Sequence, residues 1–137
     1  MKQEKPSVDR WLQEARSDPS AALCGMYLVH NGVVRETARA LVRRGESGTA
    51  PVKGMEFGYD REKVAAAIEA ARAMPGIHYV RLWLNEGSLE LGDDIMLVLV
   101  GGDIRPHVIS ALEALVGRIK SECVTERELF HSAGSGK

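Results

Sequence analysis

The chain has few cysteines, no long apolar run and almost no net charge, and each shortage argues against a class of protein. Its two cysteines, Cys24 and Cys123, lie in unrelated segments of the 137 residues, so no disulfide framework is expected. No apolar stretch approaches the ~20 residues that a membrane-spanning helix requires. The N-terminal MKQEKPSVDRW does not resemble a secretory signal, because no apolar stretch follows its charges. We therefore expect a cytoplasmic protein with no membrane partner.

A strong basic field and a metal-ligand pattern are also missing. The formal net charge is -1, so nothing favours nucleic acid as a partner, and any anion site must be local. Metal-ligand spacing is not seen between the histidines and cysteines, the histidines being His30, His78, His107 and His131. The sequence therefore predicts neither a metal site nor another cofactor.

The composition is that of one folded domain. Apolar residues make up 45% of the chain and charged residues 27%, an ordinary mixture for a globular protein of this length. No internal repeat or low-complexity block divides the chain. We expect a flexible N-terminus at residues 1–6, a domain over residues 7–128, and a flexible tail at residues 129–137.

In the first half, apolar spacing predicts a helix over residues 7–16, with Ser7 as its cap. Residues 22–30 are typical of a strand, and Asn31-Gly32 indicates a turn or bulge. Residues 36–51 are interpreted as an exposed insertion, which carries Arg39, Arg43 and Arg44.

Further along, a strand is expected over residues 52–58, and a helix should follow from Asp60 and stop before Pro75-Gly76. Strands are then predicted over residues 78–85, 88–91 and 94–100, and the longest helix over residues 105–122. This order favours an α/β or α+β sandwich of a sheet against helices.

The segment GGDIRPH, residues 101–107, is the most informative local motif. A buried strand ends on two glycines, and a helix begins at or near Pro106, a residue favoured in the first helical turn. Free backbone N–H groups and the fixed cation of Arg105 would then face a phosphate or carboxylate. An ordinary strand-to-helix turn with a solvated arginine explains the motif equally simply.

Lys120 lies at the edge of the apolar face of the long helix, near its end. A lysine beside apolar surface can act as a nucleophile or as an acid and base. The simpler interpretation is a cation that favours the negative end of the helix dipole.

Residues 22–128 resemble the large, catalytic subunit of molybdopterin synthase. The similarity is strongest over EGSLELGDDIMLVLVGGDIRPHVISALEALVGRIKSE, where the spacing from Arg105 to Lys120 fits without gaps. NGVVR, residues 31–35, is similar to the family's G-x-V-R segment, and Glu56 lies where the family's next strand carries a glutamate.

The resemblance implies a hammerhead-type sandwich, with a mixed or antiparallel sheet and packed helices, in a homodimer. It also implies a ubiquitin-like small subunit as partner, whose C-terminal thiocarboxylate enters a pocket of the large subunit. Sulfur would pass from it to cyclic pyranopterin monophosphate, a pterin phosphate, to form molybdopterin, with no cofactor required.

By position, Lys120 matches the family's lysine beside the thiocarboxylate, and Arg127 matches its second lysine, so both are predicted to be catalytic. Lys120 would transfer a proton or, if neutral, capture an acyl group transiently. The resemblance also implies that Arg35 and Arg105 bind the substrate, with Arg72 near a third basic position.

Three positions depart from the family pattern and leave a second hypothesis open. Ile104 stands where the family has a histidine, Arg127 where it has a lysine, and Glu126 adds a negative charge. The alternative is therefore a divergent, non-catalytic relative that binds a phosphate-bearing pterin or a ubiquitin-like partner.

Overall fold

A computed structural model describes residues 4–36 and 52–130. Within these ranges the chain forms three α-helices and six strands. The elements follow in the order α1 (Val8–Arg16), β1 (Met26–Val33), β2 (Val52–Tyr59), α2 (Arg61–Arg72), β3 (Ile77–Leu84), β4 (Gly87–Glu90), β5 (Asp94–Gly102), α3 (Arg105–Arg118) and β6 (Val124–Phe130). Two short turns of helix adjoin them, a 3₁₀ turn at Pro19–Leu23 and a π turn at Ile119–Cys123.

The strands form two three-stranded sheets with the orders β1-β5-β3 and β4-β2-β6. Every strand pair within the described residues is antiparallel. The predicted sandwich of sheets and helices is therefore confirmed. None of the helices in the described part of the chain is both long and apolar enough to cross a bilayer.

The central strand β5 is covered on both faces, which explains its unbroken apolar sequence. Leu97 and Leu99 pack against Trp11 of α1, and both leucines are fully buried. The alternate residues Val98 and Val100 pack into the larger core that α2 and α3 cover. Burying each such side chain stabilises the fold by about 1.5–3 kcal/mol.

The predicted starts of the first two helices are confirmed by capping contacts. The Ser7 hydroxyl accepts a hydrogen bond from the Arg10 N–H, and the Asp60 carboxylate accepts from two N–H groups at the start of α2. Pro106 lies in the first turn of α3. Gly76, with φ of 76°, follows α2 in a left-handed conformation that favours glycine.

The first strand begins later than predicted, because residues 19–23 form a 3₁₀ turn. The Asp18 carboxylate accepts a hydrogen bond from the Ser20 N–H, and Pro19 occupies the first turn. These two residues are a helix-start signal, and they outweigh the apolar run that suggested a strand from Ala22. The expected bulge is present, between Gly32 and Val33.

The last strand was not predicted. β6 pairs along the length of β2, although its sequence VTERELF carries three charges. Charged side chains are common on edge strands, and they obscured the alternation. β6 also extends through residues 129–130, into the stretch predicted as a tail, and the predicted long helix ends its regular part at Arg118.

The N-terminal residues 4–6 have no regular secondary structure. The Lys5 ammonium nevertheless donates to the Asn31 amide oxygen at 2.9 Å and lies 3.6 Å from the Asp94 carboxylate. Residues 37–51 of the predicted insertion, which include Arg39, Arg43 and Arg44, lie outside the described residues. Residues 131–137 of the predicted tail lie outside them as well.

Candidate functional site

A cavity of about 290 Å³ lies where residues of both sheets meet. Its walls combine apolar, cationic and acidic side chains from segments far apart in the sequence. The lining residues are His30, Gly32, Val33, Val34, Arg35, Val52, Met55, Ile95, Met96, Lys120, Glu126 and Glu128. Two predicted site residues, Arg35 and Lys120, therefore line the same cavity.

Backbone contacts of the preceding residue position Arg35. The Val34 N–H donates to the Asp93 carbonyl at 2.9 Å, and the Val34 carbonyl accepts from the Gly92 N–H at 2.8 Å. The Val34 side chain is 3% exposed, so it anchors the chain where β1 ends. This turn requires a positive φ at residue 92, and Gly92 adopts one of 84° because it has no side chain. Arg35 follows directly and lines the cavity.

Lys120 lies in the π turn at the end of the long helix. Ile119, the residue before it, is completely buried, and Cys123 at the end of the turn is 3% exposed. A π turn holds one more residue than an α turn, and such turns are frequent at functional sites. Lys120 is thereby half-buried between two anchored residues.

His30 lies on β1 beside Lys120 and was not predicted as a site residue. Burial lowers the pKa of His30 below its usual value, and the charge of Lys120 lowers that pKa further. The imidazole therefore favours its neutral form near neutral pH. Residues two apart on a strand share a face, so His30 and Gly32 lie on the same face of β1. This spacing is the one sequence feature that could have indicated that His30 lines the cavity.

An open groove of about 530 Å³ shares two residues with the cavity, His30 and Lys120. The rest of its surface comes mainly from α3. The groove is lined by His30, Leu112, Glu113, Val116, Gly117, Lys120 and Ser121. His30 and Lys120 therefore lie where the cavity meets the groove along α3.

Two carboxylates form an acidic wall of the cavity, defined here as Glu126 and Glu128. The strand register places Glu126 opposite Phe57 and Glu128 opposite Met55, and both partners on β2 are buried. With Arg35 and Lys120 the cavity therefore carries two cations and two anions. In the sequence Glu126 stands out only as a departure from the family pattern, and its alternation with Glu128 becomes evident once the strand register is known.

Arg127 lies on the opposite face of β6 from the acidic wall. It is paired in register with Glu56, an exposed residue of β2. An outer recess of about 570 Å³ is lined there by Glu56, Phe57, Gly58, Glu86, Gly87, Ser88, Thr125, Glu126 and Arg127. Arg127 does not line the cavity of Arg35 and Lys120.

Arg105 is the first residue of α3 and is exposed. It precedes Lys120 by 15 residues, which corresponds to roughly 22 Å along a helix. Beside it, the Asp103 carboxylate lies 2.8 Å from the His107 Nδ1, and this contact lowers the pKa of Asp103. One copy of the chain therefore cannot bring Arg105 and Lys120 onto the same small anion.

Arg72, at the end of α2, is held by local contacts. Its guanidinium lies 2.7 Å from the Glu69 carboxylate and donates to the Val80 carbonyl at 3.3 Å. Arg72 is not among the residues that line the cavity. In the described part of the chain, no group of three or more His, Cys, Asp and Glu side chains could hold a metal ion.

Comparisons with known proteins agree with this fold. The sequence matches the MoaE protein family over residues 1–122, whereas no individual curated protein matches it significantly. Molybdopterin synthase from Staphylococcus aureus is similar in structure, with a TM-score of 0.70 and 18% identity over 94% of this chain and 88% of that one. The MoaE protein from Burkholderia ambifaria gives a TM-score of 0.68 and 17% identity, over 93% and 84% of the two chains.

A third similar structure is a complex of subunits 1 and 2 of molybdopterin-converting factor from Helicobacter pylori. Its TM-score is 0.61 with 17% identity, over 91% of this chain and 80% of that one. At such low identity the structures show a common fold, while the sequence match decides the family. Because that match spans residues 1–122 of 137, the chain belongs to the MoaE protein family, and the assignment to molybdopterin synthase large subunits is confirmed.

Proposed function

We propose that this chain is the catalytic large subunit of a molybdopterin synthase and that sulfur transfer takes place in the cavity of Arg35 and Lys120. One observation carries the proposal. These two cations lie 85 positions apart in the sequence, yet they line the same cavity. The reaction belongs to molybdenum cofactor biosynthesis, and we place it in the cytoplasm.

The sulfur donor would be a ubiquitin-like small subunit that ends in a thiocarboxylate. The Helicobacter pylori structure, a complex of subunits 1 and 2 of molybdopterin-converting factor, supports such a partner. The groove along α3 reaches Lys120 from outside, so an extended C-terminal tail can lie in it. The acceptor would be cyclic pyranopterin monophosphate, held in the cavity between the two sheets.

Lys120 would act on the incoming thiocarboxylate. Its ammonium can pair with the thiocarboxylate and donate a proton to the acyl group as the carbon–sulfur bond breaks and the sulfur stays on the acceptor. As a neutral amine, it can instead take the acyl group transiently as that bond breaks, and water then releases the acyl group as a carboxylate. Arg35, with a planar fork of donors, suits the phosphate of the acceptor. Half-burial of Lys120 strengthens such interactions, because water screens them less than at an open surface.

The predicted role of Arg105 in substrate binding requires a second copy of the chain. Within one copy the helix separates Arg105 from Lys120 by roughly 22 Å. In a homodimer, α3 of one copy can present Arg105 to the cavity of the other. Arg72 and Arg127 stay predictions from the resemblance, because neither lines the cavity in a single copy.

A reconstituted reaction tests the proposal. The purified protein is mixed with a thiocarboxylated small subunit and cyclic pyranopterin monophosphate, and the dithiolene-bearing pterin is measured by mass spectrometry. We expect product with the thiocarboxylated subunit and none with the same subunit ending in an ordinary carboxylate. If no product forms at concentrations at which a known synthase turns over, the chain is instead the non-catalytic binding relative.

A further inference from the structure

The acidic wall of the cavity is not explained by sulfur transfer or by phosphate binding. A pocket that binds only an anion gains nothing from two carboxylates, because they repel the ligand. Here Glu126 and Glu128 line the same space as Arg35 and Lys120. This cavity therefore suits a ligand that presents hydrogen-bond donors as well as a negative group.

The strand pairing directs both carboxylates inwards. Glu126 and Glu128 are two residues apart on β6, so they share the face on which their partners Phe57 and Met55 are buried. Both carboxylates line the cavity, and Glu126 also borders the outer recess. The two carboxylates are therefore a built part of the cavity wall.

The remaining walls are apolar and suit a flat ring. Val52, Met55, Ile95 and Met96 line the cavity, and all four are buried. Methionine side chains adapt to aromatic rings and make favourable sulfur contacts with them. The cavity thus offers apolar surface for a ring, carboxylates for N–H donors, and cations for an anionic substituent.

A ring that suits this cavity must therefore present adjacent N–H donors on one edge and carry an anionic substituent. An ionised carboxylate accepts hydrogen bonds only, and its two oxygens match two parallel N–H donors. A 2-amino-4-oxopyrimidine ring presents such a pair on one edge, from the 2-amino group and N3. A phosphate elsewhere on the same molecule would meet Arg35 or Lys120.

We propose that Glu126 and Glu128 recognise the 2-amino-4-oxopyrimidine edge of a phosphorylated pterin-type ring, which makes the acidic wall the determinant of acceptor specificity. This inference rests on the proposed function for the reaction at the site. In this orientation the N–H donor edge of the acceptor faces the carboxylates of β6, and its phosphate faces Arg35 and Lys120. The competing explanation is that the carboxylates only neutralise Arg35 and Lys120.

Binding of two fluorescent probes separates these explanations. Pterin carries the 2-amino group, and lumazine has an oxo group in its place. We expect the unmodified protein to prefer pterin by about tenfold or more, because lumazine lacks the 2-amino donor of one charged hydrogen bond to the carboxylate. The double variant Glu126→Gln/Glu128→Gln should lose this preference, and Glu128→Gln should lose most of it.

The matched control is Glu62→Gln, which removes an exposed carboxylate on α2 away from the cavity. It should keep the preference for pterin, and all variants should keep their thermal midpoints. Affinity for inorganic phosphate should stay equal or rise in the double variant. A pterin preference that survives in the double variant overturns the inference, and so does the absence of pterin binding to the unmodified protein.

The two proposals fail in different ways. If the unmodified protein forms the dithiolene product but the double variant keeps the full pterin preference, only the specificity inference is wrong. If the variants lose the preference as expected but no sulfur reaches the pterin, only the synthase assignment is wrong. Each result is read from a separate assay on the same purified chain.

Discussion

The two ends of α3 both carry a predicted site cation, but their surroundings differ. Arg105 opens the helix on an exposed surface, next to the Asp103–His107 contact of 2.8 Å. Lys120 follows the other end, half-buried, in a turn fixed by completely buried Ile119. Only the second end joins a cavity built from both sheets.

This difference shows that a helix start and an enclosed site are separate requirements. The start of α3 offers N–H groups and a positive charge, but a single copy leaves Arg105 in solvent. The end of α3 has a less favourable dipole for anions, yet β1, β2 and β6 enclose it. Long-range strand pairing, not the helix itself, therefore defines the cavity around Lys120.

Removing the cation at the enclosed end should have the largest effect. We expect Lys120→Ala to lower the rate of dithiolene formation by about 100-fold or more, the usual range when a proton-transfer group is removed. Its thermal midpoint should change little, because the half-buried ammonium is at the cavity and not in the core. The measurement is the single-turnover rate with a thiocarboxylated small subunit.

Lys63→Ala is the matched control, since Lys63 is an exposed lysine on α2. It should keep the full rate. A Lys120→Ala protein that loses its fold while any remaining native fraction reacts normally would assign Lys120 a structural role.

The second prediction concerns how the two ends act together. If Arg105 serves the cavity of a second copy, Arg105→Ala and Lys120→Ala chains should complement each other after mixing and subunit exchange. Random exchange should restore about a quarter of the sites, because half of the dimers are mixed and each has one complete site. The measurement is dithiolene formation before and after exchange.

Each variant alone provides the baseline for this experiment. Arg105→Ala should also bind the phosphate-bearing acceptor more weakly than the unmodified chain. Failure of exchanged mixtures to exceed the average of the two separate variants would contradict action across copies and would leave Arg105 a surface residue.

Most of the fold could be predicted because the signals are local. Ser7 and Asp60 cap helices through their own side chains, and Gly76 takes the positive φ that ends the α2 region. The apolar sequence of β5 marks it as a strand buried on both faces. β6 was missed because its inward residues include Glu126 and Glu128, which do not show the usual alternation of apolar and polar residues.

The site was harder to predict for the same physical reason. Arg35 and Lys120 were predicted mainly through the family resemblance, and the structure brings them together on one cavity. His30 and the acidic wall depend on which strands pair and in which register, and neither can be deduced from one short segment. The sequence also predicted three further site residues, Arg105, Arg72 and Arg127. In a single copy none of the three lines the cavity.

The smallest expected effect concerns His30, which lies at the enclosed end beside Lys120. Its pKa is lowered by burial first and by the charge of Lys120 second. As pH falls below about 6.5, the ordinary value for histidine, the unfolded chain gains a proton at His30 more readily than the folded chain. The folded state therefore loses stability between pH 7 and pH 5.

His30→Phe removes this contribution while keeping a flat ring on β1, so its thermal midpoint should fall less between pH 7 and pH 5 than that of the unmodified protein. Both proteins keep the other charged groups around the site, which are Arg35, Lys120, Glu126, Glu128 and, in the groove, Glu113. Between pH 7 and pH 8 the two midpoints should differ by a constant amount, which serves as the internal control. Parallel curves over the whole range would mean that His30 titrates alike in the folded and unfolded chains, so that burial and the charge of Lys120 do not lower its pKa.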